Sequence, residues 1–118
     1  MDLLDEPKSE KPQALSVYNK NGFSMALTIL SHGTDVTVQA CFTCTTDVQH
    51  IMLQAAVPKT QQLQMLPLSK SSIVPGEQAT QNMRISGVSN NGKVRLRIRL
   101  SYHVHGEEVR DQLDWMQP

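Results

Sequence analysis

The 118 residues carry 11 Lys and Arg against 11 Asp and Glu and are 39% hydrophobic and 4% aromatic, which fits one small domain and leaves no room for two. Zero net charge argues against a general nucleic-acid binder, and no apolar run approaches the roughly 18 to 20 residues that span a bilayer. The acidic start Met1-Asp2-Leu3-Leu4-Asp5-Glu6 has neither the basic opening nor the apolar core of a secretory signal, so the cytosol is the expected compartment.

Residues 1–14 combine Pro7 and Pro12 with four acids and two lysines, the composition of a linker, and the folded domain is expected over 15–118. The segment Asp2 to Glu6 looks like an incomplete acidic dileucine motif and is read as plain linker. From Leu15 onward the apolar residues recur with period two. Phe23, Met25, Leu27 and Ile29 alternate, as do Val36, Val38, Ala40 and Phe42, so each run places one face on a core. Asn21-Gly22 and Ser31 to Asp35 supply turn chemistry between them. His50 to Val57, stopped by Pro58, gives a further strand, and Gln61 to Leu66 a weaker one. Ser69 to Gln78 reads as a turn-rich loop and Ala79 to Ile85 as a strand. Asn90-Asn91-Gly92 reads as a hairpin turn leading into Val94 to Val104, the clearest strand of all. A last strand, Glu108 to Leu113, follows the turn at His105-Gly106. No segment offers a helical stripe, so the expected fold is all-β, about eight short strands in two packed sheets.

Catalytic signatures are missing: there is no nucleophile elbow, phosphate-binding loop or His-Glu-x-x-His, and the acids cluster at the chain ends and in turns. Neither an enzyme, a cofactor nor a metal is expected. Asp111 and Asp114, beside Trp115, are read as solvated tail residues. Cys41 and Cys44 lack the second ligand pair of a zinc site and lie in a β-branched run rather than at a helix start, so they read as reduced strand cysteines. Residues three apart on a strand point to opposite faces, which predicts one buried and one exposed thiol.

The strongest signal is Val94-Arg95-Leu96-Arg97-Ile98-Arg99-Leu100-Ser101-Tyr102. Alternation sends Val94, Leu96, Ile98, Leu100 and Tyr102 to the core and lines Arg95, Arg97 and Arg99 along the opposite face, about 7 Å apart in succession. Three guanidinium groups in a row call for opposite charges on neighbouring strands or on a ligand, and they suit carboxylates well. From Lys59 to Arg110 the chain holds eight basic residues against three acidic ones, a net of +5 concealed by the neutral total. An acidic peptide, an anionic lipid surface or RNA could meet such a face. The chain has only five aromatic residues, most at core positions, which disfavours the stacking surface that RNA needs.

Val17-Tyr18-Asn19-Lys20-Asn21-Gly22-Phe23, Leu53-Gln54-Ala55-Ala56-Val57-Pro58-Lys59-Thr60, Leu63-Gln64-Met65 and the arginine strand from Lys93 to Tyr102 together resemble the gamma-adaptin ear (GAE) domain of clathrin adaptors. That domain ends the gamma-adaptins and the monomeric Golgi-localised, gamma-ear-containing adaptors. The resemblance covers about Val17 to Tyr102; the chain end, with Asp111 to Trp115 following directly, matches less well. It implies an immunoglobulin-like β-sandwich, an appendage that binds short acidic Phe-Gly-type motifs of accessory proteins in clathrin-coated vesicle transport. The implied location is the cytoplasmic face of the trans-Golgi network and endosomes. Contact with the coat machinery would come through the parent adaptor, with the domain itself monomeric and binding no nucleic acid. The pocket positions of the family fall on Ala56, Lys59, Met65, Arg95, Arg97 and Arg99. An anionic phospholipid surface held by the arginine face is the alternative.

Overall fold

Alternating apolar and polar residues build eight strands: β1 Ala14–Lys20, β2 Phe23–His32, β3 Asp35–Cys44, β4 Val48–Ala56, β5 Gln62–Met65, β6 Ala79–Ser86, β7 Arg95–Val104 and β8 Glu107–Met116. The computed structural model describes residues 14–32, 35–88 and 93–117. Thirteen residues of the expected linker, Gly33-Thr34 and the Asn90-Asn91-Gly92 turn lie outside the described residues. All pairings are antiparallel, in a five-stranded sheet ordered β1-β2-β3-β6-β5 and a three-stranded sheet ordered β4-β7-β8. The sandwich core lies between them. Phe23, Met25, Leu27, Val38, Ala40 and Phe42 enter it from one sheet and Ile98, Leu100 and Tyr102 from the other, each with 1% exposure or less.

Four expectations change. β6 and β7 lie in different sheets, so these two strands do not form a hairpin pair. Ser69 to Gln78 is more than a surface loop: Ile73 is buried and forms an antiparallel bridge to Val48, with N–H···O distances of 2.9 and 3.0 Å in the two directions. Cys41 and Cys44 are both half-buried free thiols, because Cys41 is flanked by Ala26 and Thr80 on the central β3 while Cys44 packs against the core at the strand end. Asp111 and Asp114 belong to β8, not to a solvated tail.

Two tight turns set the registers. Asn21 and Gly22 connect β1 and β2 with φ of 58° and 76°, the positive values that a two-residue hairpin following strand twist demands. A Cβ at Gly22 would stand 2.9 Å from Thr45 Oγ1, so glycine is required there by space as well as by φ. His105 and Gly106 repeat the geometry between β7 and β8, with φ of 53° and 78°.

A polar chain ties the sheets together. Tyr18 on β1 donates its only hydroxyl proton to Asp111 Oδ2 on β8, so the 2.7 Å contact between Tyr18 Oη and Tyr102 Oη must run from Tyr102 to Tyr18. Asn21 Nδ2 donates to Tyr102 Oη at 3.0 Å and completes the relay. Phe23 packs against both phenol rings, its centroid 6.3 Å from that of Tyr18 and 4.4 Å from that of Tyr102. Burial, then the hydrogen bond donated to the Asp111 carboxylate, hold the Tyr18 proton far above the ordinary tyrosine range.

Ile98→Ala should lower unfolding free energy by about 2 to 5 kcal/mol in urea titration, since it removes a fully buried side chain from the middle of the core. Tyr18→Phe should cost about 1 to 3 kcal/mol at neutral pH by leaving Asp111 without its donor. The folded chain keeps the Tyr18 proton where the unfolded chain releases it, so this stability is whole below the ordinary tyrosine value of 10.0 and declines as pH rises above it. The stability gap between wild type and Tyr18→Phe should therefore narrow from pH 8 to pH 11.

Candidate functional site

β7 is the middle strand of the three-stranded sheet, so Arg97 and Arg99 each stand between one residue of β4 and one of β8, whereas Arg95, beyond the end of the β4 ladder, has a registered neighbour on β8 alone. The His105-Gly106 turn pairs Val104 with Glu107, and counting outward from it sets Arg99 opposite Gln112, Arg97 opposite Asp114 and Arg95 opposite Met116. On the other side Arg99 meets Gln54 and Arg97 meets Ala56. All three arginines are exposed while Leu96, Ile98 and Leu100 between them are buried.

The three guanidinium groups are not equivalent. Arg97 Nε donates to Asp114 Oδ1 at 3.0 Å, an ion pair whose side chains are 63% and 70% exposed. Arg99 Nε donates to the neutral Gln112 Oε1 at 3.3 Å. Arg95 has no hydrogen-bonded or ionic side-chain partner among the described residues. Further along the sheet Arg110 Nε donates to Glu108 Oε2 at 2.9 Å, and that bond draws the Glu108 carboxyl below its usual range. Positive charge is thus partly cancelled along the face and open at the Arg95 end.

At that end the strands enclose a surface hollow of about 570 Å³ lined by Ala56, Val57 and Pro58 after β4, Arg95 to Arg97 on β7 and Asp114 to Met116 on β8. Half-buried Trp115 packs against the core opposite Leu96, and Met116 is 59% exposed, an unusual exposure for an apolar side chain. The hollow therefore joins apolar walls to a guanidinium that has no side-chain partner among the described residues.

Of the six residues singled out from the sequence, Ala56, Arg95 and Arg97 come together here. Lys59 is exposed in the turn directly after Pro58, closed by a 2.9 Å bond from Gln61 N–H to the Pro58 carbonyl. Arg99 lines a neighbouring hollow with Met52, Gln54 and Arg110. Met65 is not among the lining residues: β5 is the far edge of the other sheet, where Met65 pairs with Met83 and packs half-buried against the core. Val57, Pro58, Asp114, Trp115 and Met116 are the lining residues that the sequence reading passed over. The β8 members could have been found by counting back from the His105-Gly106 turn.

Comparison with known proteins agrees with this architecture. Residues 13–118 match the Adaptin C-terminal domain family, and the chain belongs to it. The AP-1 complex subunit gamma-1 of Mycosarcoma maydis is 40% identical over 107 residues, covering 87% of this chain and 12% of that protein. The mouse AP-1 complex subunit gamma-like 2 is 32% identical over 121 residues, 92% of this chain and 15% of that protein. The chain thus spans only about an eighth of the length of these relatives. Among solved structures, the GAE domains of yeast GGA2p and GGA1 superpose with TM-scores of 0.81 each at 14% and 15% identity. Both cover 90% of this chain, with 98% and 100% of their own chains covered. The fold is that of a GAE domain, an immunoglobulin-like sandwich, and the chain is an appendage domain of the clathrin-adaptor kind.

Exposed ion pairs contribute little to folding, so a double-mutant cycle on Arg97→Ala and Asp114→Ala in urea should give a coupling below about 1 kcal/mol that fades in 1 M salt.

Proposed function

We propose that the domain is a peptide-reading appendage that recruits accessory proteins bearing acidic Phe-Gly-type motifs, in clathrin-mediated transport at the trans-Golgi network and endosomes. The observation that carries this reading is the hollow that sets apolar walls beside Arg95, which has no partner of its own among the described residues. An extended peptide lying across the end of the sheet places its Phe against Ala56, Val57, Pro58 and the stem of Arg95 and its flanking acid against the guanidinium head. Lys59, in the turn after Pro58, and Arg97 and Arg99, further along β7, add to the positive field that draws an acidic ligand toward this end of the sheet. Membership of the adaptin C-terminal family and the gamma-subunit relatives support the transport setting.

Anionic lipid is the weaker reading. A membrane surface needs several cations free at once, and here Arg97 and Arg110 are already paired with acids of β8. Peptide recognition needs only one open guanidinium and an apolar socket.

A small contact with few ordered ligand residues predicts a Kd of about 10 to 100 μM. Fluorescence anisotropy with a labelled Asp-Phe-Gly-Ala-Leu peptide should show saturable binding in that range. Phe→Ala in the peptide should abolish it, and Arg95→Ala in the domain should weaken it at least five-fold, or about 1 kcal/mol, with an unchanged melting temperature. Loss of binding that follows salt alone, indifferent to the peptide Phe, would sink this reading in favour of lipid.

A further inference from the structure

Resting on the peptide-reading proposal, the geometry points to Asp114 as a built-in competitor that occupies Arg97 until an acid of the ligand displaces it, and so limits how many ligand acids the site reads. Asp114 and Arg97 face each other across β7 and β8 at 3.0 Å, both line the hollow, and both are largely exposed. The contact is not needed to hold the strands, because β7 and β8 are zipped over ten registered pairs from Arg95–Met116 to Val104–Glu107. An exposed pair on an already complete ladder contributes little to stability. Its consequence falls on the hollow instead, where it leaves one guanidinium open and one already answered.

A ligand with a single acid reaches Arg95 without disturbing anything. A second acid must break the Arg97–Asp114 bond and then sit close to the released Asp114 carboxylate. At near-surface dielectric that like-charge approach is worth roughly as much as the bond itself, so the second acid gains almost nothing. The wild-type site is therefore built to count to one. Phosphate or another compact dianion faces the same repulsion at Arg97, and the selectivity applies to charge rather than to carboxylate geometry.

The experiment uses three labelled peptides, Asn-Asn-Phe-Gly-Ala-Leu, Asn-Asp-Phe-Gly-Ala-Leu and Asp-Asp-Phe-Gly-Ala-Leu, titrated at near-physiological salt against wild type, Asp114→Asn and the double variant Arg97→Ala with Asp114→Asn. Wild type should bind the two acidic peptides within about two-fold of one another. Asp114→Asn should bind the two-acid peptide roughly 3- to 10-fold tighter than wild type does while changing little toward the neutral peptide. The double variant should lose that gain, which assigns it to Arg97 rather than to a general change of field. Equal melting temperatures establish that folding is not what changed. Wild-type binding with no more than two-fold improvement in Asp114→Asn toward any peptide overturns the competitor role and leaves the peptide-reading site standing. Absence of saturable binding by every variant overturns that reading and the competitor with it.

Discussion

The pleat of β7 is the constraint from which the site follows. Successive side chains on a strand must point to opposite faces, so Leu96, Ile98 and Leu100 cannot be buried without presenting Arg95, Arg97 and Arg99 to solvent at a fixed spacing. A one-residue slip would bury three guanidinium groups at a cost far beyond the stability of a domain this size. The hydrophobic core thereby enforces the orientation of the basic face. Because β7 is flanked by β4 and β8, Arg97 and Arg99 have both neighbours specified, while Arg95 lies past the last β4 pair and is neighboured in register only by Met116.

The core and the basic face were legible from sequence for the same reason, since both are carried by a period that is local to ten residues. The strands β2, β3 and β7 needed no knowledge of their partners. The pairing of Arg97 with Asp114 was legible in principle, because a two-residue turn at His105-Gly106 sets every later pair. It escaped because ending the strand at Leu113 left Asp114 outside it, as a tail residue. Features that join distant segments left no local trace. Ile73 sits in a run that reads as loop and yet bridges β4, and Asn90 to Gly92 has the residues of a hairpin although β6 and β7 lie in opposite sheets. Met65 stands near Lys59 in sequence, but β5 returns to pair with β6 and carries it to the other sheet.

Asp111 and Asp114 show how pleat decides role. They are three residues apart on one strand, so they face opposite ways. Asp111 turns inward to accept the Tyr18 proton and, with Lys20 Nζ 4.0 Å away, closes the seam between the two sheets. Asp114 turns outward to meet Arg97 in solvent. The inward acid accepts from the phenol of Tyr18, a buried side chain held in the aromatic cluster, which suits a structural link. The outward acid holds a single exposed contact that a solvated competitor can replace.

That difference bears on what kind of recognition the domain can support. The hollow lies on paired strands whose registers are set by tight turns and whose undersides are packed into the core, so no conformational change is required for a ligand to find it. A ligand bound at such a preformed but shallow site, on the proposed reading, would exchange fast and with modest affinity, because the area it can bury is small and its charges stay wet. Strength must then come from repetition. A partner carrying several motifs, or a coat presenting many copies of the domain, converts weak single contacts into retention through effective concentration, and releases as soon as the array disperses. A built-in carboxylate that denies a second acid its gain would fit that logic, since tighter individual sites would slow disassembly without adding to the specificity that an apolar socket supplies.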